Sequence, residues 1–161
     1  MALRQIRLDD DALLRKQSRE VKAITPGTIA LLDDLAETMY ASEGVGLAAP
    51  QVGILRRVAV IDMREEDGSG LIELINPEIV KKRGEQEHKE ACLSVPGRSG
   101  LVMRPAYVKV RALNRQGETV MIEGKDMLAV ALCHEIDHLN GILYTDLAVS
   151  MMRNEDEEDA S

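Results

Sequence analysis

Apolar positions in the first quarter of the chain recur at the spacing of an amphipathic helix. They stand three or four residues apart and fall on one helical face: Ile29, Leu32, Leu35, Ala36, Met39 and Tyr40. Thr25 suits the N-cap and Pro26 the first helical position, whereas glycine, here Gly44, commonly ends a helix. The pattern therefore predicts a helix from Pro26 to near Gly44.

Beyond Gly44 the pattern changes to short runs rich in Val, Ile and Leu, which are typical of strands. These runs cover residues 58–61, 71–75, 107–112 and 119–122. Two segments rich in Gly, Asn and Asp, at 67–70 and 114–117, have the composition of hairpin loops.

A second helix is expected to follow Asp126, a good cap residue, and to end at Gly141. Its first half, 127–133, is apolar on every side, which predicts a helix buried in the centre of the domain. The sequence has no repeat or composition break before its acidic end. It therefore predicts one α+β domain over residues 1–148, with antiparallel or mixed β-sheets packed around this central helix.

The remaining segment, 149–161, contains five consecutive carboxylates at 155–159. We interpret it as a solvated, disordered tail, with partner binding as the alternative. The net charge of −8 argues against direct binding to nucleic acid or anionic membranes, which requires a basic face. The longest apolar run, 127–133, is too short for a membrane span or an export signal, so we expect a cytoplasmic protein.

The buried helix carries the sequence His-Glu-x-x-His, formed by His134, Glu135 and His138. Residues four apart lie on the same helical face with Cβ atoms roughly 5–6 Å apart, so both imidazoles can reach one metal ion. Glu135 would then lie beside the ion, where a carboxylate can act as general base on a metal-bound water.

A catalytic metal usually has a third protein ligand, and none follows His138 convincingly. Tyr144 stands where one class of zinc endopeptidase has a third histidine, which disfavours that reading. Upstream, Cys133 points about 100° away from His134 and reads as a core residue. His88 lies in a charged run that reads as solvated, whereas Cys92 is followed by an apolar stretch, and a thiolate with two imidazoles suits Zn²⁺ or Fe²⁺.

At this point the sequence resembles the peptide deformylase family. Three blocks carry the likeness: GVGLAAPQ at 44–51, EACLS at 90–94 and HEIDHL at 134–139. Their order and spacing match as well, from about residue 3 to about residue 148. Such enzymes remove the N-formyl group from the N-terminal methionine of newly made polypeptides, so the resemblance implies N-formylmethionyl peptides and nascent chains as substrates.

The resemblance also implies a site for one divalent metal ion per chain. Cys92, His134 and His138 would hold it, and the ion would be Fe²⁺ in the cell, although the same ligands accept Zn²⁺ or another divalent ion. Glu135 would be the general acid and base. The amide of Gln51 and the backbone N–H of Leu93 would face the formyl oxygen and stabilise the oxyanion that forms there.

For substrate binding, the resemblance implies an extended peptide that pairs like an added strand with the main chain at Val45 and Gly46. The methionine side chain would lie against Val45, Val130 and Ala131. These apolar residues suit an ordinary core equally well.

Three charged residues near the predicted site have two interpretations each. Asp137 either pairs with a base such as Arg104 and so orients a metal ligand, or is an exposed carboxylate. Arg98 and Arg104 either contact the peptide or are surface cations.

The chain departs from the family pattern at Ala91, where the family has glycine. A positive φ there would make alanine unfavourable by roughly 1–2 kcal/mol, and a close approach of substrate would make its methyl group an obstruction. Some relatives carry a basic C-terminal helix associated with the ribosome, whereas acidic residues stand here, so ribosome docking through that element is not expected. A zinc endopeptidase and a non-catalytic metal- or peptide-binding protein are the alternative functions.

Overall fold

The computed structural model describes residues 2–64 and 70–153. Three helices, two short 3-10 turns and eight strands make up this part of the chain. The helices are α1 (Pro26–Ala41), α2 (Met127–Leu139) and α3 (Tyr144–Leu147). The strands are β1 (Gly46–Ala48), β2 (Val58–Ile61), β3 (Ile72–Arg83), β4 (Gln86–Cys92), β5 (Val95–Arg104), β6 (Tyr107–Leu113), β7 (Thr119–Lys125) and β8 (Ser150–Arg153). The 3-10 turns are Ala12–Arg15 and Ala49–Val52.

The strands form two antiparallel sheets, so the predicted α+β class is confirmed. A five-stranded sheet has the order β1-β2-β3-β6-β7, and a three-stranded sheet has the order β4-β5-β8. In both sheets every ladder is antiparallel. Strand β1 is thus an edge of the larger sheet, and β4 is an edge of the smaller one.

Helix α1 follows the predicted pattern closely. Thr25 caps it by accepting the Thr28 N–H, and Pro26 occupies the first turn. Its apolar face packs with β1 and β2 into one core cluster. The helix ends at Ala41, and the chain then passes through Glu43 at φ 58° into the loop before β1.

The predicted strands 58–61, 107–112 and 119–122 correspond to β2, β6 and β7, and the 114–117 segment is the hairpin loop between β6 and β7. The predicted strand 71–75 is the start of β3, which runs on to Arg83. The pattern missed β1, β4, β5 and β8. Most of the loop predicted at 67–70 lies outside the described residues.

Helix α2 begins and ends where the sequence predicts, but its start differs in mechanism. Asp126 has φ 55° and ψ −119° and makes no side-chain capping bond. Instead its backbone N–H donates to Ala106 O, and its carbonyl accepts the Gln86 side chain. The prediction that the Asp126 carboxylate caps the helix is therefore wrong, and the backbone of Asp126 is instead held by Gln86 of β4 and by Ala106 between β5 and β6.

The end of α2 depends on Gly141, which has φ 75°. The Gly141 N–H donates to His138 O and the Ile142 N–H to Asp137 O, a helix-terminating pair of bonds that requires the left-handed conformation. Of the helix's thirteen residues ten are buried, and α2 contacts strands of both sheets. Within the described residues no helix has the length and apolar character needed to cross a membrane.

Residues at the start of the predicted tail are ordered into a strand. Ser150–Arg153 form β8, which pairs with residues 98–101 of β5. The acidic residues 155–159 lie outside the described residues, so the division at residue 148 stays a prediction.

Replacing Gly141 by alanine is expected to destabilise the fold more than the same change at Gly117. Both glycines have a positive φ, 75° and 79°, so both variants bear the left-handed penalty of about 1–2 kcal/mol. A Cβ at Gly141 would lie 2.5 Å from Arg15 O, whereas at Gly117 the nearest atom, Ile24 Cδ1, is 3.6 Å away. Urea unfolding should show an additional loss of about 1–3 kcal/mol for Gly141→Ala. Equal losses in the two variants would contradict this.

Candidate metal centre and active site

Three potential metal ligands converge where β4 meets α2. The Cys92 sulfur lies 3.4 Å from Nε2 of His138, and the Nε2 atoms of His138 and His134 are 3.2 Å apart. One ligand atom from each of the three residues lies within 4.8 Å of the others. The structure therefore contains a possible Cys/His/His metal site built from the residues that the sequence indicated.

The alternation of β4 directs its polar side chains towards α2. Gln86, His88, Glu90 and Cys92 are buried or half-buried, whereas the residues between them are exposed. A register irregularity between Glu90 and Cys92 precedes the two-residue turn into β5. The Cys92 thiol thus belongs to the inward face of an edge strand, β4, whose charged run around His88 was interpreted as solvated.

A buried ionic network orients one of the two imidazoles. Nδ1 of His134 lies 2.8 Å from the Glu90 carboxylate, which also accepts two hydrogen bonds from Arg104, at 2.6 and 2.9 Å. Arg104 donates at 2.6 Å to Asp137 as well. The interpretation in which Asp137 pairs with Arg104 is supported, and the surface interpretation of Arg104 is wrong, since it is only 5% exposed.

The pKa values of the network follow from these contacts. Burial alone would raise the pKa of Glu90, but hydrogen bonds from Arg104 and His134 outweigh it and lower the pKa to about 2. Burial would likewise lower the pKa of His134, yet its contacts with Cys92 and Glu90 raise it well above the ordinary value. For His138, burial dominates, and its pKa is lowered well below the ordinary value.

The donor set fits a divalent metal ion. Nδ1 of His134 faces Glu90, which leaves Nε2 of that ring to face the cluster, where a bound cation would displace the proton of that nitrogen. The imidazole of His138 is held neutral by burial, as a metal ligand must be. A thiolate with two neutral imidazoles is a common set for zinc and for iron, with space for a further ligand.

Glu135 lies next to this cluster and forms no ion pair among the described residues. It is 4% exposed, and its Oε1 has no hydrogen-bond partner among the described residues. Burial raises the pKa of Glu135 to about 7. A side-chain carbon at Gly46 would lie 2.4 Å from Glu135 Oε2, so any larger residue there would force the carboxylate to move. A buried carboxyl group with a pKa near neutrality can both accept and return a proton.

Gln51 points its amide nitrogen at the cluster. Its Oε1 accepts the Ala48 N–H at 3.0 Å, which fixes the orientation of the amide. The Nε2 group donates to Ser94 Oγ at 3.0 Å and lies 3.5 Å from the Cys92 sulfur. Leu93 directly follows Cys92 in the turn between β4 and β5 and lines the same cavity. The arrangement brings hydrogen-bond donors close to the metal ligands.

A cavity of about 420 Å³ opens in front of these groups. All four residues predicted to contact the substrate line its wall: Val45, Gly46, Val130 and Ala131. Two segments contribute to it: residues 43–46, which lead into β1, and residues 88–93, which cover the end of β4 and the start of the turn after it. Val45 is 44% exposed, as a residue on the wall of an open cleft should be.

The other candidate ligands have different surroundings. Cys133 is packed in the apolar core, and burial raises its pKa to about 11. His88 contacts the sulfur of Met127. The ring of Tyr144 stacks against that of His134 at a centroid distance of 6.1 Å, and its hydroxyl donates to Arg98 O, so it packs behind a ligand. Arg98 lines the cavity while paired with Asp9.

Ala91 is not strained. Among the described residues, the non-glycine residues with positive φ are Glu43, Arg64, Asn76 and Asp126. The interpretation that glycine is needed for backbone conformation is therefore wrong for this chain. Ala91 is exposed and lines the cavity.

Sequence reasoning assigned no role to two residues that orient the site, Glu90 and Ser94. Ser94 is fully buried and receives the Gln51 amide, and Glu90 is 3% exposed. Glu90 stands two residues before Cys92, and this spacing on a strand puts both side chains on one face. That alternation was the signal available in the sequence.

Comparison with known proteins gives a consistent result. Residues 3–154 match the family model for polypeptide deformylase. A peptide deformylase of Alkaliphilus metalliredigens is 64% identical over 91% of this chain and 97% of its own length. One from Acetivibrio thermocellus is 60% identical over 98% of this chain and 89% of its own length. The crystal structure of a peptide deformylase from Legionella pneumophila superposes with a TM-score of 0.87 at 44% identity, covering 91% of this chain and 86% of that one.

Loss of the Arg104 side chain is expected to destabilise the protein strongly. An Arg104→Met variant leaves the Glu90 carboxylate, 3% exposed, without its cation, which typically reduces the free energy of unfolding by about 3–5 kcal/mol. The control is Arg111→Met, which breaks an Arg–Glu pair of similar length whose side chains are 51% and 64% exposed. Such surface pairs contribute about 1 kcal/mol at most. Urea unfolding of both variants in the same metal-loaded state tests this, and similar losses would contradict it.

Proposed function

The chain belongs to the peptide deformylase family, and from this premise we propose how its residues remove the N-formyl group from nascent peptides. The observation that carries the proposal is the convergence of a thiol and two imidazoles beside a cavity that Glu135 and Gln51 also line. Hydrolysis of a formyl amide requires a nucleophilic water, a proton carrier and stabilisation of the carbonyl oxygen as it becomes charged.

We propose that Cys92, His134 and His138 hold one divalent metal ion per chain, Fe²⁺ in the cell. When bound, the ion supplies Lewis-acid chemistry, which lowers the pKa of water and polarises a carbonyl oxygen. Glu90 and Arg104 support the ligand set, because their buried network fixes the ring orientation of His134.

The Glu135 carboxylate is proposed as the proton carrier. It takes a proton from the attacking water and delivers it to the amide nitrogen, so that the C–N bond breaks to give formate and a free amine. Its burial and its lack of a hydrogen-bond partner at Oε1 favour this role, since the carboxyl group has a pKa near neutrality and an oxygen free to take a proton.

Gln51 and Leu93 are proposed to stabilise the oxyanion. The orientation of the Gln51 amide, set by the Ala48 N–H, keeps Nε2 directed at the cluster, and the Leu93 backbone N–H would face the same oxygen. Removing one donor of this kind typically lowers kcat by about 10²- to 10³-fold.

The substrate is proposed to bind as an extended strand between the two sheet edges. The main chain at Val45 and Gly46 provides one side, and the end of β4 the other. The methionine side chain then lies against Val130 and Ala131 of α2. Burying such a side chain contributes roughly 1.5–3 kcal/mol, so backbone pairing must supply much of the remaining affinity.

We propose the cytoplasm as the site of this activity. Both Cys92 and Cys133 are free, and a thiolate metal ligand requires a compartment that keeps thiols reduced. Cell fractionation should recover the protein with other cytosolic enzymes, and recovery in a membrane or exported fraction would contradict the proposal.

Anaerobically purified protein is expected to contain about one iron per chain and to release formate from formyl-Met-Ala. Glu135→Gln should retain the metal but lose at least about 10²-fold in kcat, because a general acid–base contributes about 10²- to 10⁴-fold. Elemental analysis and a formate assay measure both properties in the same sample.

The same preparation separates the alternative functions. Cleavage of an unblocked protein without formate release would support an endopeptidase, and no formate above that of Glu135→Gln would support a non-catalytic protein. Zinc in place of iron would contradict only the choice of metal.

A further inference from the structure

The segment ahead of the first 3-10 turn crosses from one sheet to the other behind the proposed oxyanion donors. We call residues 2–11 the N-terminal strap. The Arg7 N–H donates to Gln51 O at 2.7 Å, and the Asp9 N–H donates to Ser94 O at 2.8 Å. Gln51 follows β1 of the larger sheet, and Ser94 lies in the β4–β5 turn of the smaller one. Arg7 and Asp9 of one segment therefore bind the backbone at Gln51 and the backbone next to Leu93.

This connection matters because no ladder joins the two sheets in the described part of the chain. Hydrogen bonding within either sheet cannot fix how far Gln51 lies from the Leu93–Ser94 turn. Between Gln51 and the turn, the Gln51 amide donates to Ser94 and lies near the Cys92 sulfur. The Leu93 side chain packs against the core cluster that α1 forms with β1 and β2. The strap adds two backbone bonds at the same point.

The strap is anchored on both sides of its crossing. At one end, Ala2 N and the Arg4 guanidinium donate to the buried carboxylate of Asp34, and Arg4 N donates to Thr38. Burial would raise the pKa of Asp34, but these donors outweigh it and lower the pKa. At the other end, the Asp9 carboxylate pairs with Arg98 of β5, which lines the cavity. A segment without regular secondary structure is thus fixed relative to α1 and β5.

We propose that the N-terminal strap sets the spacing of the two oxyanion donors, and that Asp9 is a positioning residue for the reaction. It acts through Ser94 and Arg98 and does not touch the substrate. The inference rests on the proposed roles of Gln51 and Leu93. Since these donors act on charge that develops in the transition state, a change in their spacing lowers kcat and leaves KM nearly unchanged.

Asp9 offers a substitution that removes the contact with little disturbance of the chain. The Asp11 N–H donates to Leu8 O, so Asp9 is the second residue of a four-residue turn, a position that proline favours. Asp9→Pro removes both the N–H and the carboxylate, whereas Asp9→Ala removes only the carboxylate. Asp10→Ala is the matched control, because Asp10 is exposed, adjacent and equally charged, and its side chain makes no hydrogen bond or ion pair with the described residues.

In formate-release assays on metal-loaded protein, Asp9→Ala is expected to lower kcat about 3- to 10-fold and Asp9→Pro about 10- to 100-fold, below the loss expected for Gln51→Ala. KM should stay within about twofold of the wild-type value, metal content should not change, and Asp10→Ala should match the wild type. In a Gln51→Ala background, Asp9→Pro should have a smaller effect than in the wild type, because one of the two donors whose spacing it sets is already absent.

Wild-type kcat in both Asp9 variants would overturn the inference. So would an equal loss in the wild-type and Gln51→Ala backgrounds, which would indicate general destabilisation. If Asp9→Pro does not fold, Asp9→Ala and its double mutant with Gln51→Ala decide the same question. Failure of the proposed oxyanion role is a separate result: Gln51→Ala alone would then keep the wild-type kcat.

Discussion

The Glu90 carboxylate lies between the Arg104 guanidinium and the His134 imidazole, and this buried contact determines how the smaller sheet meets helix α2. Glu90 and Arg104 belong to β4 and β5, whereas His134 and Asp137 belong to the helix. If that contact shifted, the inward face of β4 would lose its alignment with α2, and the Cys92 sulfur would no longer lie beside the two imidazoles. A buried ion pair of this kind contributes little net stability compared with apolar packing, but it requires one specific geometry.

The rest of the site follows from two sheets that end at a common cleft. Strands β1 and β4 are edges, and edges have unpaired backbone groups that an extended peptide can use. Had the sheets been joined by a ladder at this point, the backbone groups near Val45 and Ala91 would have been occupied. In the proposed binding mode, access for the peptide therefore depends on there being no such ladder among the described residues. The spacing across the cleft then depends on side chains and on the N-terminal strap.

Helix α2 could be predicted because the sequence features that define it lie within or next to the helix. The spacing of His134 and His138, the apolar turns before them and Gly141 after them all act within one helix, and the structure has that helix at Met127–Leu139. The third candidate ligand, Cys92, lies on β4 of the smaller sheet, far from the helix in sequence. Spacing alone left it as one of several candidates, and the resemblance selected it. Strands β4 and β5 were missed because their inward positions are occupied by Gln, His, Glu and Arg, which a periodicity argument interprets as exposed. Asp126 was interpreted as a cap because aspartate is a common N-cap residue. Its hydrogen bonds to Gln86 and Ala106, which are distant in sequence, could not be predicted from the local pattern.

These misses have a common physical cause. Among the described residues twelve polar or charged side chains are buried, and seven of them belong to the site or its support: Gln51, Glu90, Ser94, Arg104, His134, Glu135 and His138. Burying a polar group is unfavourable unless it is hydrogen-bonded. A prediction from the hydrophobic pattern therefore places polar residues on the surface. The chain can bury them because they satisfy one another: Glu90 with Arg104 and His134, and Gln51 with Ser94. Two of the seven are exceptions: Glu135 Oε1 and His138 Nδ1 have no hydrogen-bond partner among the described residues. An unsatisfied buried carboxylate beside a cavity is hard to explain by folding alone, and it is accounted for when that oxygen has a proton to accept from a molecule in the cavity.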